Sequence, residues 1–478
     1  MPSGRLQSLS AVLVLLGAGW MATQGDFLHQ PAVIRQFWLG AAVMGLGYGL
    51  SGALKTVSPG WFWGVTLISR LMLLAMAVNS DLWRYLWEGY IQTQGFSPYD
   101  FAPNAPELAH LRPEWWSQIN HQDVSAIYPP ITQWGFRALA ALTPTAWLFK
   151  LAFAAADLSI CALLSRSVGR RAALVYAWNP LVIYSFSGSG HYDSWFLLPL
   201  VGAGIVLGTP GKWRPEKSES SPRADLSDSS GAIAPWRWLC SAALIGVSIA
   251  VKWISLPVLA FLCWRSLRSG VRLMVAVLLT GLMPIAISAL PFCSAAACPL
   301  IPTDSGFVVY GRSAELIPFL VGHVWPASRW ENWLYGFPLV LVVGWLLLRA
   351  KSFWAFTEWY LMGLLVLSPI VHAWYFTWLV PFAAVSRNGG TRLVSLSAFI
   401  YFALTYRSAT GDGSWLLTLP ERAALWMPFI VGVLFWLLRS DRANPLNSVR
   451  SLNIRRSHNW LARALSPDPK SAKAKSAK

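Results

Sequence analysis

Apolar runs of about 16 to 24 residues recur along the whole chain, and short polar connectors separate them. Runs of this length cross, or nearly cross, the core of a bilayer as α-helices. A further apolar stretch, 238–264, is interrupted by Lys252 and Pro257 and has positive charge on both sides, which favours a hairpin of two short helices over one span. The pattern predicts an all-α polytopic membrane protein of about 12 to 14 helices. The other predicted spans lie near 8–23, 33–54, 61–78, 146–164, 171–187, 191–208, 271–291, 333–349, 354–369, 372–386, 392–405 and 422–438.

The placement of positive charge predicts how the chain crosses the membrane. Lys and Arg cluster in short connectors and in the tail 439–478, and short basic loops remain in the cytoplasm. Both termini are therefore predicted to be cytoplasmic, and residues 79–145 to form a long first outer loop with interfacial helices. This loop belongs to an amino-terminal membrane module, 1–208, which a disordered cytoplasmic linker, 209–236, joins to a carboxyl-terminal module, 237–438. The tail 439–478 is predicted to be a basic cytoplasmic arm near anionic lipid.

Composition supports a membrane protein and argues against a nucleic-acid partner. Hydrophobic residues make up 55% of the chain and charged residues 12%, whereas soluble domains carry about 25% charged residues. The formal net charge of +17 lies mainly in connectors and the tail, so membrane lipids are the expected partner of these basic residues. The five cysteines have no zinc-site spacing. Cys293 and Cys298 share a predicted outer loop, where a disulfide and two free thiols are both open alternatives.

Polar residues gather near the outer boundary of the predicted spans. Charged groups at membrane depth are costly, so each requires a partner or a purpose. A carboxylate there can accept the proton of an acceptor hydroxyl, and cations and imidazoles can stabilise a departing phosphate. The mixture therefore predicts an enzyme that acts on a sugar linked to a lipid phosphate. The residues concerned are Asp81, Arg84, Glu88, His191, Asp193, Lys252, Arg312, His372 and Tyr375.

Several of these residues also have a purely structural interpretation. Asp81 directly follows a predicted span and is of a type that caps the start of a helix. Arg84 and Glu88, four residues apart, form a pair typical of a helix surface. Lys252 could extend towards the lipid headgroups. Helix termination and an interfacial aromatic belt are the corresponding alternatives for His191, Asp193 and His372.

Four stretches in a fixed order carry a resemblance to a known family. They are SDLWRYLWEGYIQTQGFSPYDFAP followed by IYPPITQ, then GHYDSW, VKWISLPVL and HAWYFTWLVPF, and they spread over most of the chain. Their order and spacing resemble those of GT-C membrane glycosyltransferases that use polyprenyl-phosphate sugars. The similarity is greatest to bacterial, glycosyltransferase 87-like α-mannosyltransferases that depend on polyprenyl-phosphate mannose. In that family an acid after a span precedes a G-x-S/N-P-Y turn and a Y-x-P element in the first outer loop.

The resemblance implies a role for each matched residue. Asp81 is expected to be the catalytic base, presented by the catalytic outer loop 79–145. Some relatives carry a second acid beside the first, whereas Leu82 and Trp83 follow Asp81 here, so we expect transfer without a metal site and without a cofactor. The donor phosphate or sugar is expected to contact Lys252, Arg84, His191, His372, Asp193, Tyr375 and Arg312. The acceptor cleft is expected to be formed by Glu88, Tyr99, Tyr128 and Pro129.

The implied function is the inverting transfer of a sugar, expected to be mannose, from a polyprenyl-phosphate donor to a glycolipid or cell-envelope glycan acceptor. The reaction is expected at the outer face of a bacterial cytoplasmic membrane. A transporter or flippase of lipid-linked sugars is the main alternative, because such a protein also gathers buried charges, although across the depth of the membrane. A non-catalytic assembly subunit that retains the same fold is the third hypothesis.

Overall fold

The computed structural model describes residues 3–24, 30–208, 233–293, 298–300, 309 and 311–439. The predicted linker 209–236 lies outside the described residues up to position 232, and the predicted basic tail lies outside them from position 440. Across the described residues the chain forms nineteen α-helices, joined by short 3₁₀ turns, with no strand. The all-α prediction is therefore confirmed. The helices are α1 (Ser3–Ala22), α2 (Ile34–Ser51), α3 (Pro59–Leu73), α4 (Ser80–Thr93), α5 (Pro130–Leu142), α6 (Ala146–Ser167), α7 (Arg170–Ala177), α8 (Pro180–Ile183), α9 (Ser194–Leu207), α10 (Pro235–Val251), α11 (Leu256–Ser266), α12 (Val271–Ala289), α13 (Ile317–Val324), α14 (Gly336–Arg349), α15 (Phe353–Leu367), α16 (Val380–Ser386), α17 (Gly389–Ser397), α18 (Phe402–Ala409) and α19 (Leu419–Arg439).

Helices of membrane-spanning character are spread through the described part of the chain. Five helical segments there are long and apolar enough to cross a bilayer, and four shorter apolar helices accompany them. Their exposed faces carry many large apolar side chains, as expected for surfaces that contact lipid. The chain is therefore a polytopic membrane protein, as predicted. The five long segments are Gly4–Ala22, Ala146–Ser167, Val271–Phe292, Asn332–Arg349 and Leu419–Leu438.

The predicted span 171–187 is not a single α-helix. It consists of α7, α8 and a π-helical turn, Tyr184–Gly188. The break has a local cause, because the Asn179 side chain accepts hydrogen bonds from two backbone N–H groups of α8, at 3.0 and 3.2 Å, and Pro180 has no N–H with which to continue α7. This segment is buried almost throughout, so its irregular backbone is kept away from lipid.

Two later predicted spans are also divided by 3₁₀ turns, Ala373–Leu379 at the start of 372–386 and Ala398–Tyr401 within 392–405. His372 directly precedes the first turn, and its Nδ1 is hydrogen-bonded to the hydroxyl of the tyrosine that ends the second. The two breaks therefore bring aromatic and imidazole rings from distant parts of the sequence into contact.

The stretch 238–264 forms the predicted pair of short helices, α10 and α11. Between them Lys252 has an extended conformation, with φ −153° and ψ 120°. The chain then turns back, because Gly246 of α10 and Leu259 of α11 both pack against Gly281 of α12. The hairpin thus places Lys252 at the turn between two packed helices.

The segment 79–145 is a folded unit that begins with α4 and ends with α5. The two helices approach closely at Gly89, where an added Cβ atom would lie 2.4 Å from the carbonyl oxygen of Phe136. Two 3₁₀ turns between them, Pro106–Leu111 and Glu114–Gln118, contribute to a small separate core. Because this unit is packed internally, it can hold the first turn of α4 in a fixed position. Its core side chains are Trp87, Ile91, Leu108 and Ile119.

The loop after α12 contains a disulfide between Cys293 and Cys298, whose Cα atoms lie 4.2 Å apart. Of the two alternatives left open by the sequence, the structure has the bridged form. The residue before the bridge, Phe292, packs its ring on Tyr99 and Trp134, with centroid distances of 5.0 and 5.9 Å. The bridged loop is thereby attached to the folded unit 79–145.

Candidate active site

A cavity of about 680 Å³ lies where the first turn of α4, the turn at Lys252 and the 3₁₀ turn after His372 meet. Its lining comes from segments that are far apart in the sequence. Ten of the twelve residues expected at the site line it, whereas Glu88 and Tyr99 lie behind its wall. The ten are Asp81, Arg84, Tyr128, Pro129, His191, Asp193, Lys252, Arg312, His372 and Tyr375.

Asp81 lies in the first turn of α4 but does not cap the helix. The cap is Asn79, whose Oδ1 accepts a hydrogen bond from the backbone N–H of Leu82 at 3.0 Å. The Asp81 carboxylate points into the cavity, and its side chain is 20% exposed. Its Oδ1 accepts a hydrogen bond from Asn120 at 2.5 Å, and its Oδ2 lies 3.6 Å from Nδ1 of His191. The capping alternative for Asp81 is therefore wrong.

The environment of Asp81 favours a carboxyl that binds a proton more readily than usual. Burial raises its pKa above the ordinary value of 3.8, since removal of water disfavours the charged form. The hydrogen bond from Asn120 acts in the opposite direction, because it stabilises the carboxylate. A base with a raised pKa is better suited to accept a proton from a hydroxyl group.

His191 is held in one orientation by its neighbours. Its backbone N–H donates to the carbonyl of Ser185 at 2.8 Å. The preceding Gly190 has φ +82°, a conformation that favours glycine, and a Cβ atom there would lie 2.2 Å from a methyl group of Leu82. Asn79 donates from Nδ2 to Nε2 of His191 at 2.7 Å, which requires an unprotonated Nε2. This contact favours the neutral ring with its proton on Nδ1, the nitrogen that lies 3.6 Å from Asp81.

Stacked rings continue from His191 along the cavity. The His191 ring lies on Trp374 with centroids 3.7 Å apart, and Trp374 lies on His372 at 4.5 Å. His372 is hydrogen-bonded to the hydroxyl of Tyr401, which packs edge-on against Trp415 at 6.4 Å. We call these five residues the ring column. The column runs from His191, which lies beside Asp81, to Trp415, which is 37% exposed.

Lys252 forms an ion pair with Asp193, which is 1% exposed and also accepts a hydrogen bond from the indole N–H of Trp378 at 2.8 Å. The ammonium group therefore points into the protein, and the snorkelling alternative is wrong. Aromatic rings surround it at centroid distances between 4.7 and 5.7 Å, an arrangement that favours a cation. The rings belong to Tyr192, Phe196, Tyr375 and Trp378.

Arg84 and Glu88 form a buried pair, not the surface pair that their spacing suggested. Their side chains are 4% and 2% exposed, and Arg84 Nε donates to Glu88 at 2.8 Å. The four remaining guanidinium N–H groups donate to backbone carbonyls of the segment 120–125, at 2.6 to 3.3 Å. Gln133 donates to the second carboxylate oxygen of Glu88 at 2.6 Å. Although Arg84 lines the cavity, all five of its donors are engaged in holding this segment, which includes Asn120, against α4.

Tyr99 supports the wall of the cavity from behind. Its hydroxyl donates to the carbonyl oxygen of Tyr128 at 2.6 Å, and Pro98 accepts a hydrogen bond from the backbone N–H of Ala126 at 2.8 Å. Gly95 supplies the turn before them, with φ +89°. The G-F-S-P-Y sequence therefore fixes the backbone of Tyr128, whose ring lines the cavity.

Arg312 lines the cavity from the segment before α13. Its Nη2 donates to the carbonyl of Ser328 at 2.6 Å, and its guanidinium lies 5.3 Å from the ring centroid of Tyr335. Its Nε and Nη1 are buried and have no hydrogen-bond partner within the described residues. Buried donors of a cation that lack partners can bind an incoming anion.

Sequence reasoning missed several residues that organise the site. Asn79 had a detectable signal, since asparagine directly before an amphipathic helix is a preferred cap. Trp374 and Trp378 lie in the stretch HAWYFTWLVPF, whose resemblance implied roles for His372 and Tyr375 alone, and Tyr401 lies within a predicted span, where aromatic residues are common. Asn120 lies in an irregular loop, and nothing in the sequence links it to Asp81.

A family model described as alpha-(1->6)-mannopyranosyltransferase, N-terminal domain, matches residues 3–268, which is more than half of the chain. No curated protein and no solved structure matches the chain. The matched region includes Asp81, His191, Asp193 and Lys252, and ends before Arg312 and His372. The expected kinship with membrane α-mannosyltransferases is confirmed by this match. The chain belongs to the alpha-(1->6)-mannopyranosyltransferase family.

Proposed function

We propose that this mannosyltransferase moves a mannosyl group from a polyprenyl-phosphate donor to a hydroxyl of a glycolipid or cell-envelope glycan, and forms an α-(1→6) linkage. The observation that carries the proposal is the shared cavity: a half-buried carboxylate, Asp81, lines it together with two cations, Lys252 and Arg312. The family name supports mannose as the sugar and α-(1→6) as the linkage. The apolar helices of the chain support a lipid-linked donor, because such a donor reaches the protein from the membrane.

The proposed reaction is a single displacement. The acceptor oxygen forms a bond to the anomeric carbon of the donor while the bond from that carbon to the phosphate oxygen breaks. The electron pair of the broken bond leaves with the polyprenyl phosphate, and the acceptor proton passes to the carboxylate of Asp81. One displacement inverts the anomeric configuration, so an α-linked product requires a β-linked donor.

The cations have different proposed roles because their environments differ. Arg312 receives the phosphate through Nε and Nη1, which lack partners among the described residues. Lys252 is already paired with Asp193, so its positive charge stabilises the phosphate less than that of Arg312 does. The second carboxylate oxygen of Asp193 is buried and has no partner in the described chain, and it accepts a hydrogen bond from a sugar hydroxyl. Arg84 is assigned a positioning role, since its donors are engaged elsewhere.

The proposed membrane placement follows the distribution of positive charge. Segment 79–145 and the cavity lie at the outer face of a cytoplasmic membrane, with both termini in the cytoplasm. The chain is divided into the modules 1–208 and 237–438, with the cavity lined from both. No metal ion and no cofactor takes part in the proposed transfer.

The test uses purified protein, polyprenyl-phosphate mannose and an α-mannoside acceptor. Asp81→Asn keeps the size of the side chain but removes the base, and we expect transfer to fall by roughly 100- to 10,000-fold. The matched control is Asp123→Asn, because Asp123 is exposed on the same segment and does not line the cavity. Unchanged transfer by the Asp81 variant refutes its role as base.

A transporter or flippase predicts a different result in liposomes. It would move the lipid-linked sugar across the bilayer without forming a glycosylated product. The family match and the convergence of acid and cations in one cavity favour the transferase.

A further inference from the structure

Trp415 lies at the mouth of the cavity in the short loop between α18 and α19, and Leu416, which follows it, is 49% exposed. Trp415 lines the cavity, yet 37% of its surface is exposed. The loop residues before it, 410–414, are all exposed and include no large apolar side chain. A large aromatic ring in such a loop is not explained by packing of the core.

The backbone holds Trp415 in an unusual conformation. Its φ is +46°, in the left-handed region that residues with a Cβ atom rarely adopt. Neighbouring contacts stabilise this conformation: Asp412 accepts from the backbone N–H of Ser414 at 2.9 Å, and Arg407 donates to the carbonyl of Leu416. Arg407 is in turn paired with Glu421 at 2.6 Å. Strain of this kind is typical of positions where the orientation of a side chain serves a function.

The ring column relates the position of the Trp415 side chain to that of Asp81. In the column, the faces of His191, Trp374 and His372 are stacked on one another, so they are occupied by protein rings. Trp415 stands at the open end of the column, and its ring is partly exposed. The other end reaches Asp81 through His191 at 3.6 Å. The cavity wall therefore runs from a partly exposed indole to the carboxylate.

We infer that Trp415 forms an outer acceptor subsite, which packs against the second or third sugar ring of a glycan whose terminal hydroxyl lies at Asp81. This inference rests on the proposed function. The apolar C–H face of a pyranose and the face of an indole bury apolar surface together, while the sugar hydroxyls remain solvated. A glycan fits this position better than a prenyl chain, because the five residues that precede Trp415, 410–414, are small or polar and all exposed.

The test compares acceptors of increasing length with the purified full-length protein and polyprenyl-phosphate mannose. The acceptors are octyl α-mannoside and the corresponding α-(1→6)-linked di- and trimannosides. For the wild type we expect a KM about tenfold lower for the longer acceptors than for the monomannoside. Trp415→Ala should raise the KM of the longer acceptors to that of the monomannoside, so that the dependence of KM on acceptor length is lost.

Two further variants make the result specific. Trp415→Phe retains a ring and should keep part of the preference for longer acceptors. Trp333→Ala removes another exposed tryptophan, one that does not line the cavity, and should behave as the wild type. Equal losses on all three acceptors, or an unchanged preference in Trp415→Ala, overturn the subsite while leaving the proposed function standing. Absence of transfer by the wild type overturns both.

Discussion

Asn79 joins the start of α4 to His191 through the two ends of one amide group. Its oxygen accepts from the backbone N–H of Leu82 at 3.0 Å, and its nitrogen donates to Nε2 of His191 at 2.7 Å. The residue that fixes the first turn of α4, and hence Asp81, therefore also fixes the protonation of the imidazole beside it. Substitutions of Asn79 can separate its role as the helix cap from its effect on the protonation of His191.

Asn79→Asp should preserve the cap but change the proton on His191. Aspartate caps a helix as well as asparagine does, yet it presents a carboxylate to Nε2 and so favours the imidazolium. The two new charges act in opposite directions on the pKa of Asp81, and the imidazolium, whose Nδ1 lies 3.6 Å from Asp81 Oδ2, stabilises the carboxylate and lowers that pKa relative to the wild type. We expect the acid limb of the rate profile to move to lower pH and the plateau rate to fall, because Asp81 becomes a weaker base.

Asn79→Ser supplies the matched control, since serine keeps the cap without a carboxylate. It should leave thermal stability and the position of the acid limb close to wild type. Besides Asp81, the charged or titratable groups that affect the protonation of His191 are Lys252 and His372. An identical pH profile in the Asp and Ser variants would show that Asn79 acts on the helix alone.

Asn120→Ala tests the environment of Asp81 directly. The carboxyl accepts a proton only when it is ionised, so transfer should decline as the pH falls through its raised pKa. The hydrogen bond from Asn120 opposes the effect of burial on that pKa, and its removal should raise the pKa further. We expect the acid limb to shift to higher pH in kcat/KM measurements, whereas an unchanged limb would mean that a different group controls it.

Arg312→Ala should weaken binding of the donor and leave binding of the acceptor unchanged. Loss of hydrogen bonds from a buried cation to a phosphate should raise the KM of the donor by about 10- to 100-fold. Arg312→Lys keeps the charge without the planar fork and should lie between this variant and the wild type. Arg137→Ala, an exposed arginine outside the cavity, serves as the control. A rise in the KM of the acceptor alone would assign Arg312 to the other substrate.

The membrane helices could be predicted because each requires a long apolar run, and such runs are visible without knowledge of their neighbours. The hairpin at Lys252 was also predictable, since a charged residue inside an apolar segment with basic flanks conflicts with a single span. The division of 171–187 was missed, although Asn179 and Pro180 carry the local signal of a helix end and a new start. Because the stretch is apolar, its hydrophobicity predicted one continuous span and gave no indication of the helix end.

The span pattern placed these distant residues at one boundary of the membrane, and the family resemblance implied their roles, but neither revealed their individual contacts. Arg84 was expected to bind the donor because it is a cation next to Asp81. Its partners are backbone carbonyls 36 to 41 residues further along the chain, and every residue type presents such carbonyls. Contacts of this kind leave no pattern of side chains in the sequence, so the positioning role required a structure.

The pair of Lys252 and Asp193 can be tested by removing one partner and then both. Asp193→Asn leaves a cation that is 15% exposed without its counter-ion, and breaking a buried pair costs about 3–5 kcal/mol. We expect a clear drop in the melting temperature of the detergent-solubilised protein.

The double variant Lys252→Met, Asp193→Asn removes the charge as well, and the flexible methionine side chain fills the space between the surrounding rings. Its stability should return close to that of the wild type, while transfer remains impaired because the cation and the carboxylate are both absent from the cavity. Recovery of transfer together with stability would mean that the pair serves only the fold.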